Sequence, residues 1–585
     1  MIKSLTGKVW NFSKPDSNEV IQLSNMLGLS SLTSTILVNR GIHNYKDAEL
    51  FFNPKLKNTI PDPSLFIDME KGVNRLVKAI LQEEKIMIYG DYDVDGITST
   101  ALLVTYLRDI GVHPHYSLPD RFVDGYGLNK NAVDIALSVS ANLIISVDSG
   151  TSSFEAIEYA NNNGIDVVII DHHAQLSETL PNAIAVINPN RIDQNEIENA
   201  HIKHMSASGV VFIFLIWLQR ILKTTNYLNT HTSQDLLTYS GISALGTLCD
   251  VMELKGFNRS IVNYAISNNT FPIGLKVLLK CFGIEKVNNT EDLTFFAGPA
   301  INASGRLSSP VIGLSLLLEK DIITAERIAK TLIDLNIQRK EIERAHMSES
   351  LCFIDNNKQA NDNVLCVYSD NFHEGVIGIL AGKLKDKFGK PSFVISFSDG
   401  IGKGSARSIQ GFDIGHFIGQ AMDKNIIISG GGHTLAGGFS IEKSKMQEFF
   451  DLANNYATND LKHYINIDYI LHTSNNLSEI YRDISRLEPF GKGNEKPLFC
   501  WKELRILSTT KTKTGEHLII TFSDRFFYEK LKATLFNISL KFNIVNTIES
   551  NSDQLFDIVG SLSYSQKFGC NIIIEDIRFS IATDQ

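Results

Sequence analysis

The chain has 585 residues, of which 43% are hydrophobic and 21% are charged. These proportions are ordinary for globular proteins and exclude a mainly disordered, a collagen-like or a disulfide-stapled chain, while the length predicts several domains. The formal net charge of −10 argues against non-specific binding to nucleic acid, which depends on lysine and arginine. A basic groove can nevertheless coexist with an acidic exterior, so net charge alone decides little.

Cysteine usage and the longest apolar run both indicate an intracellular, water-soluble chain. The six cysteines form no C-x-x-C pair, so neither a zinc knuckle nor a disulfide framework is indicated. Residues 209–218 are apolar but too few to span a bilayer, and they predict a buried helix. The first residues have no continuous apolar stretch of the secretory kind. We therefore expect a cytoplasmic protein without a membrane segment.

In chain order, the first half of the sequence predicts an extension followed by a parallel α/β domain. Residues 1–71 are loop-rich and helical and form the predicted extension. Residues 72–310 form the predicted domain, and within it residues 85 to about 190 alternate apolar strands with amphipathic helices, which is typical of parallel α/β folds. The strands are predicted at 86–89, 143–147 and 167–170.

The second half predicts a connecting helix, a second α/β domain and a β domain. Residues 311–350 are predicted to connect the domains. From residue 325 onward they are charged and contain no glycine or proline, which predicts a long helix. Residues 351–457 again suggest α/β structure, with strands near 364–368 and 393–395. Residues 458–585 carry alternating segments, such as 518–522 and 571–574, that predict a barrel of the OB type.

The strongest motif is a run of alternate aspartates after the first predicted strand, Asp91, Asp93 and Asp95. Ligands of open α/β sheets bind beyond the carboxyl ends of strands, and alternate residues of an extended segment project to one side. Crowded carboxylates favour a hard cation such as Mg²⁺ or Mn²⁺. The alternatives are a solvated acidic turn and a calcium loop, although Leu102 stands where a calcium loop needs glutamate.

Other aspartates follow apolar segments in the same manner. Asp148 follows the second strand, the triplet Asp171, His172 and His173 follows the third, and Asp250 ends a later apolar stretch. Singly, each is more often a turn or a surface or core residue; together they predict one metal site. Imidazole beside carboxylates favours Mn²⁺, with Asp171 fixing a histidine tautomer.

The order D-x-D-G, D-x-G, D-H-H and G-T-x-x-D resembles the four motifs of the DHH phosphoesterases. That resemblance implies two divalent ions, Mn²⁺ or Mg²⁺, with Asp148 between them and with Asp91 and His173 lining the site. The implied metal ligands are Asp93, Asp95, Asp148, His172 and Asp250.

Further segments resemble the RecJ exonucleases within that superfamily: Asn39-Arg40-Gly41, Gly125-Tyr126-Gly127 preceded by Arg121, Asn258-Arg259 and Ile301–Leu307. Cys249 and Ser304 stand where alanine is usual, and both changes conserve volume. The segment 488–494 resembles the entry to the OB domain of the family, and its alternative interpretation is a simple domain boundary. Phe499, Trp501 and Phe522 have a spacing more typical of a β core than of base stacking.

Two glycine-rich segments, 402–408 and 430–438, lie in the second α/β zone. Glycine lets a backbone approach phosphate, and arginine can bind it in bidentate fashion, although most such segments are only turns. They resemble the DHH-associated domain. The resemblance implies that Arg121, Ser405 and Arg407 bind the 5′-terminal phosphate beside Gly431 and Gly432, and that Asn302, Arg306 and His433 lie near the scissile phosphate.

The resemblance implies a single-stranded-DNA-specific exonuclease that degrades 5′→3′ to mononucleotides by two-metal hydrolysis, in repair and recombination. It also implies a monomer that works with single-strand-binding protein and a repair helicase. One alternative is a small-substrate DHH phosphoesterase of the oligoribonuclease or pyrophosphatase type, but such chains lack the extension and the terminal β zone. The other is an inactive replication scaffold, which would be expected to lose its carboxylates.

Overall fold

The computed structural model describes residues 4–125, 127–175, 177–194, 202–225, 227–231, 234–457, 464–524, 529–538, 542–551, 553–565 and 569–580. The chain forms two compact units. Unit 1 comprises Met1–Ala48, Lys340–Leu487 and Lys496–Gln585, and unit 2 comprises Glu49–Arg339 and Glu488–Glu495. The predicted boundaries of the five sequence segments stay predictions.

The N-terminal segment contains one strand and four short helices. These are β1 (Val9–Phe12), α1 (Ser17–Leu27), α2 (Ser31–Asn39), α3 (Tyr45–Phe52) and α4 (Leu56–Thr59). Asp16 and Ser30 accept hydrogen bonds from the first-turn amides of α1 and α2, which explains where these helices begin.

Unit 2 is built on a five-stranded parallel sheet. Its strands are β2 (Ile86–Tyr89), β3 (His115–Ser117), β4 (Leu143–Val147), β5 (Asp166–Ile170) and β6 (Ala185–Ile187), in the order β3-β2-β4-β5-β6. The connecting helices are α5 (Met69–Leu81), α6 (Val94–Asp109), α7 (Lys130–Ser138) and α8 (Phe154–Asn162). Every residue of β2 and β4 is buried, because helices cover both faces of a parallel sheet. The predicted parallel α/β domain is confirmed.

A helical layer completes unit 2. It contains α9 (Ala207–Thr224), α10 (Tyr227–Thr230), α11 (Ser240–Cys249), α12 (Gly256–Asn268), α13 (Ile273–Cys281), α14 (Gly298–Leu307) and α15 (Val311–Leu318). The helix α9 is long and apolar enough to cross a membrane, and 61% of it is buried inside the structure. Its side chains belong to the main hydrophobic core, as predicted for residues 209–218.

The predicted charged helix is present as α16 (Ile322–Asn356), which has 35 residues. Its first part belongs to unit 2 and its part from Lys340 onward to unit 1, so it carries the chain from one unit to the other. The prediction of a long connecting helix is confirmed.

Unit 1 contains a mixed sheet of five strands, β7 (Leu365–Ser369), β8 (Ser392–Ser398), β9 (Ile401–Arg407), β10 (Ser429–His433) and β11 (Ala436–Glu442). The order is β10-β11-β9-β8-β7, and only the β7–β8 pair is parallel. The accompanying helices are α17 (Glu374–Phe388), α18 (Ile414–Asp423) and α19 (Met446–Tyr456). Edge-to-face and stacked phenylalanines fill the core on the α18 and α19 side.

The part of unit 1 from residue 464 onward contains a closed barrel. Its elements are β12 (Tyr464–Ile467), β13 (Tyr469–Ile470), α20 (Leu477–Ser485), β14 (Phe499–Lys511), β15 (Leu518–Ser523), β16 (Lys530–Leu535), α21 (Phe542–Ser550), β17 (Leu555–Ser565) and β18 (Gly569–Phe579). The sheet order β14-β15-β16-β18-β17 closes because β17 also pairs with β14. Phe499, Trp501 and Phe522 are fully buried, so they form the barrel core, as their spacing predicts.

The N-terminal strand is fastened to this barrel. β1 pairs in parallel with β12, and the Trp10 indole N–H donates to Asp576 on β18 at 2.7 Å. The Thr6 hydroxyl donates to the same carboxylate at 2.8 Å, and the Arg578 guanidinium lies 4.1 Å from the Trp10 ring centroid. Residues 6–12 are therefore structurally part of unit 1.

Candidate metal centre and phosphate-binding strands

The predicted metal ligands gather at one edge of the unit 2 sheet. Asp91 and Asp93 follow β2, Asp148 follows β4, and His172 and His173 follow β5. These strands are neighbours and parallel, so their carboxyl ends open on the same crevice. The expected convergence of three strand ends therefore occurs.

The aspartate run is extended only as far as Asp93. The prediction of an extended segment through Asp95 was wrong, because a helix begins at Val94. The Asp93 carboxylate accepts from the backbone N–H groups of Asp95 and Gly96, at 2.9 and 3.2 Å, and so caps α6, which begins at Val94. Aspartate competes well for this position because its oxygen satisfies an orphan amide. Asp95 consequently lies in the first turn of a helix.

Asp95 is buried against the start of another helix. Its carboxylate accepts from the backbone N–H groups of Ala207 at 2.6 Å and Ser208 at 3.1 Å, in the first turn of α9. The partial positive charge of a helix N-terminus favours an anion there. One aspartate thus ties α6 to α9 while its carboxylate stays beside His172, with Asp95 Oδ2 3.8 Å from His172 Nε2.

Three overlapping ligand groups define the centre. In each group the candidate ligand atoms lie within 4.8 Å of one another. Asp148 and His172 each belong to two groups, so the groups merge into one continuous cluster rather than separate sites. The groups are Asp91 with Asp93 and Asp148, Asp148 with His172 and His173, and Asp95 with His172 and Asp250.

Asp148 occupies the middle of the cluster in a strained conformation. Its φ of 60° lies in the left-handed region, which aspartate visits more readily than most residues, and it is only 1% exposed. Residues held in this region cluster at functional sites because the surrounding structure imposes them. Asp250 reaches the cluster from the C-terminal end of α11.

Burial and mutual repulsion oppose the ionisation of these carboxylates. Burial raises the pKa of Asp91 and of Asp148 well above its usual range, and neighbouring aspartates add to the effect. Burial followed by the charges of Asp95 and Asp93 raises the pKa of Asp250 to about 9. Burial and the charge of Asp93 raise the pKa of Asp95 to about 6. The cluster can hold its full negative charge at neutral pH only beside cations.

The donor atoms fit divalent cations. Asp91 Oδ1, His172 Nε2 and Asp250 Oδ2 are buried and make no hydrogen bond. Buried polar atoms are normally satisfied, so three such atoms converging on one crevice are available as ligands. A set of carboxylate oxygens with imidazole nitrogen suits Mn²⁺ or Mg²⁺. Burial lowers the pKa of His172 to about 4, which keeps it neutral and able to coordinate.

Asp171 organises the histidine pair from behind. It accepts from His173 Nδ1 at 2.8 Å, from the His172 N–H at 2.7 Å and from the Thr151 hydroxyl at 2.6 Å. Burial raises the pKa of Asp171, but these donors and the neighbouring histidine charges hold it below its ordinary value. Burial lowers the pKa of His173, but the bond to Asp171 raises it overall to about 9. Without metal, the bond to Asp171 therefore favours the protonated form of His173.

Sequence reasoning missed three supporting residues, Thr151, Asn188 and Asn190. The Asn188 amide donates to the Thr151 hydroxyl at 2.9 Å and to the His173 carbonyl at 2.8 Å, and Asn190 donates to the His172 carbonyl. The position of Asn188 could have indicated its role, because it directly follows β6, another strand that ends at the same edge of the sheet.

Arg121 and Arg306 lie beside the aspartate run in unit 2, and Asn302 is on the same helix as Arg306. The Arg121 guanidinium is 4.9 Å from the ring centroid of Tyr92, which stands between Asp91 and Asp93. Asn302 and Arg306 are four residues apart on α14, so they share a helix face, and both are half-buried. Burial raises the pKa of Tyr92 to about 12, and the charges of Arg121 and Arg306 act in the opposite direction. Tyr126 lies outside the described residues.

The predicted phosphate-binding residues of unit 1 line up across three strands. Arg407 of β9 pairs with Ala436 of β11, which pairs with His433 of β10. Ser405, Gly438 and Gly431 form the next row. Paired residues, and residues two apart along a strand, point to the same face of a sheet. Three polar side chains and a floor of small residues thus share one face.

Gly378 of α17 closes this face on the side of β9. A Cβ at Gly378 would lie 3.2 Å from Ser405 Oγ and 3.5 Å from Arg407 Nη2. Glycine here leaves the space around the serine and arginine open. Gly432 lies on the opposite face from Gly431, where its partner Gly437 approaches Ile414 and Ile418 of α18.

Comparison with known families divides the chain into three matched regions. Residues 85–246 match the N-terminal domain of the DHH family, residues 361–459 match the DHHA1 domain, and residues 467–571 match the RecJ OB domain. The single-stranded-DNA-specific exonuclease RecJ of Escherichia coli is 34% identical over 436 residues, which cover 72% of this chain and 74% of that protein.

The chain belongs to the RecJ family. The RecJ of Bacillus subtilis is 30% identical over 498 residues, covering 83% of this chain. The match spans 61% of the length of that relative.

Solved RecJ structures share the fold. RecJ from Thermus thermophilus in complex with Mn²⁺ superposes with a TM-score of 0.79 at 24% identity, covering 98% of this chain and 80% of that one. An exonuclease RecJ bound to manganese gives a TM-score of 0.56 at 26% identity, covering 67% of this chain and 95% of that one. The RecJ architecture of a DHH domain, a DHHA1 domain and an OB barrel accounts for the elements described above.

Proposed function

We propose that this RecJ-family chain is a metal-dependent exonuclease that degrades single-stranded DNA 5′→3′ to mononucleotides, in DNA repair and recombination. The observation that carries the proposal is the continuous cluster of aspartates and histidines with unsatisfied donor atoms at the strand ends. Relatives from 28% to 34% identical are named single-stranded-DNA-specific exonucleases, which supports the substrate.

Two divalent ions, Mn²⁺ or Mg²⁺, would be held in this cluster. Asp93, with Asp91 and Asp148, would hold one ion, and Asp95, His172 and Asp250 would hold the other, with Asp148 between them. Asp91, predicted only to line the site, is near enough to Asp93 and Asp148 to act as a ligand. When bound, such ions activate a water molecule for in-line attack and neutralise the charge that develops on the phosphate.

The cationic residues of unit 2 act on the substrate itself. His173, kept protonated by Asp171, offers its second ring nitrogen as a donor to a phosphate oxygen. Arg306 and Arg121 flank the aspartate run; Arg306 would offset the repulsion between its carboxylates and an approaching phosphodiester, and Arg121 would bind the 5′-terminal phosphate. Asn302, four residues before Arg306, would bind the scissile phosphate from the same helix face.

The strand rows of unit 1 would bind the DNA end. Ser405 and Arg407 supply a hydroxyl and a guanidinium to the 5′-terminal phosphate, over the small residues Gly431 and Gly438. Gly432 would contribute through its backbone, and His433 would bind the scissile phosphate. Binding of the 5′-terminal phosphate at a site other than the metal site would explain degradation in the 5′→3′ direction. Single-strand-binding protein and a repair helicase are the proposed protein partners of a monomeric enzyme.

The test is digestion of a single-stranded oligonucleotide labelled at either end, with Mn²⁺, Mg²⁺ or EDTA, beside duplex and RNA controls. We expect early release of labelled mononucleotide from the 5′ end, dependent on metal and blocked by duplex. Cleavage only of pyrophosphate or very short oligomers would replace the proposal with a small-substrate phosphoesterase. Binding without hydrolysis would replace it with an inactive scaffold.

Two variants separate the proposed roles. Asp148→Ala should abolish turnover because it removes the central ligand, while retaining DNA binding. Arg407→Ala should raise KM and erase the preference for a 5′-phosphate over a 5′-hydroxyl, with a smaller effect on kcat. Equal loss of kcat in both variants would contradict separate recognition of the terminal phosphate.

A further inference from the structure

The loop Glu488–Glu495 is part of unit 2, although the chain on both sides of it belongs to unit 1. Its sequence, E-P-F-G-K-G-N-E, suggested an entry to the barrel or a simple domain boundary. Its position instead makes it a component of the unit that carries the metal centre.

Arg259 of α12 holds the start of this loop by its main chain. The guanidinium donates to the carbonyl of Glu488 at 2.8 Å and to that of Pro489 at 3.1 Å. It also donates to the Phe51 carbonyl at 2.9 Å, with its central carbon 3.8 Å from the Phe51 ring centroid. Arg259 is only 3% exposed, so a buried side chain fixes the start of the loop.

The middle of the loop lies against the segment that follows Asp250. The Leu254 N–H donates to the Lys492 carbonyl at 2.8 Å, and the Thr290 hydroxyl donates to the Phe490 carbonyl at 2.6 Å. A Cβ at Gly491 would lie 2.7 Å from Leu254 Cδ1, so glycine lets the loop pack closely on Leu254. The backbone of Lys492 is therefore fixed beside a segment that begins at a metal ligand.

Asn494 completes the loop from inside. It is 1% exposed, its amide donates to the Pro489 carbonyl at 2.8 Å, and its backbone pairs with Gly491. These bonds close the loop on itself. Its shape therefore does not depend on the Lys492 side chain.

The Lys492 side chain is exposed, and the next residue lies close to the segment that follows Asp250, because a Cβ at Gly493 would lie 3.4 Å from Glu253 Cβ. Burial raises the pKa of Glu253, but cations that include Lys255 and Lys492 lower it overall. Lys255 is paired with Glu253 at 3.1 Å, whereas Lys492 faces solvent from a rigid backbone.

We propose that the loop Glu488–Glu495 delivers Lys492 to the Asp250 side of the metal centre as a positioning residue for a DNA backbone phosphate next to the scissile one. The inference rests on the proposed nuclease function. A lysine ammonium is a compact charge that binds phosphate without reading sequence. Its charge offsets the repulsion between the aspartate cluster and the incoming strand.

The experiment compares Lys492→Ala, Lys492→Arg and Lys492→Glu with the matched control Lys255→Ala. KM and kcat are measured on a 5′-phosphorylated oligonucleotide in Mn²⁺ at several salt concentrations. DNA affinity is measured separately, by fluorescence anisotropy in EDTA. Lys492→Ala should raise KM about fivefold with kcat nearly unchanged, and should reduce the slope of log Kd against log salt by about 0.7, the value for one single-strand phosphate contact. Arginine should restore both quantities, and glutamate should worsen them.

Several results would overturn the proposal. One is an unchanged KM and salt slope in Lys492→Ala, and another is an equal change in Lys255→Ala. A third is a shift of the Mn²⁺ midpoint with DNA affinity intact, which would assign Lys492 to Asp250 rather than to DNA. If the wild-type protein binds DNA but hydrolyses none, the proposed function fails, while the anisotropy slopes still decide the role of Lys492.

Discussion

Asp171 accepts a hydrogen bond from Nδ1 of His173 at 2.8 Å, and this bond fixes the orientation of the imidazole beside Asp148. Residues that orient a catalytic histidine in this way are usually as sensitive to mutation as the histidine itself.

Asp171→Asn should lower kcat or the apparent Mn²⁺ affinity by about 10- to 100-fold, because the amide holds His173 less firmly and no longer favours its protonated form. Steady-state kinetics across a Mn²⁺ titration measure this. The matched control is Asp166→Asn at the other end of β5, where Asp166 pairs with Arg75 at 2.6 Å, away from the ligands. Wild-type activity in Asp171→Asn would contradict the orienting role.

In the metal-free protein, the free energy of unfolding should decrease as the pH rises from about 6.5 to 9. In this window Asp250 and His173, both with a pKa of about 9, still bind protons in the metal-free fold. The unfolded chain has largely lost the corresponding protons, since free aspartate and histidine titrate lower. The folded state therefore binds more protons, and stability decreases by about 1.4 kcal/mol per pH unit for each such proton.

Thermal unfolding across this pH range, with EDTA and with Mn²⁺, tests the expectation. The Tm in EDTA should fall toward pH 9, while Mn²⁺ should flatten the dependence because a cation replaces the protons. Asp250→Asn should flatten the EDTA curve in part. A Tm in EDTA that rises with pH would be inconsistent with raised carboxyl pKa values at this site.

Gly378→Ala should impair recognition of the DNA end, because the added methyl group crowds Ser405 and Arg407. We expect KM for a 5′-phosphorylated oligonucleotide to rise about tenfold, the factor for a loss of about 1.4 kcal/mol. Gly382→Ala is the control, since the same helix leaves open space around that position. Gly382→Ala should leave KM unchanged and add slightly to stability. Equal kinetics for both variants would count against a phosphate site under Gly378.

Trp10→Phe should destabilise the protein by about 1–3 kcal/mol, because it removes a hydrogen bond to the buried Asp576 carboxylate. Denaturant unfolding measures the loss. Asn11→Ala, which removes an exposed bond to Asn466 on the same strand pair, should cost little. The Mn²⁺ dependence of activity should stay unchanged in both variants, and a shifted dependence in Trp10→Phe would show that the Trp10–Asp576 bond does more than stabilise unit 1.

Strand bounds are predicted best where every residue of the strand is buried. The strands at 86–89 and 143–147 have the predicted bounds because each is a continuous apolar run between polar turns. Prediction failed at Asp95, because an N-cap at Asp93 converts the expected extended segment into a helical turn, and that competition depends on the position of α9. The unit that contains Glu488–Glu495 was also beyond local patterns, since its anchor, Arg259, is 229 residues distant.

The path of the chain also bears on how this protein is made. Every predicted metal ligand has been translated by residue 250, yet unit 2 is not complete until residue 495 of 585 has been added. A nascent or prematurely terminated chain that stops before Glu488 would carry the whole aspartate and histidine cluster but lack the last component of unit 2. The order of synthesis thus adds the last segment of unit 2 only after the long helix and the mixed sheet of unit 1 have been made.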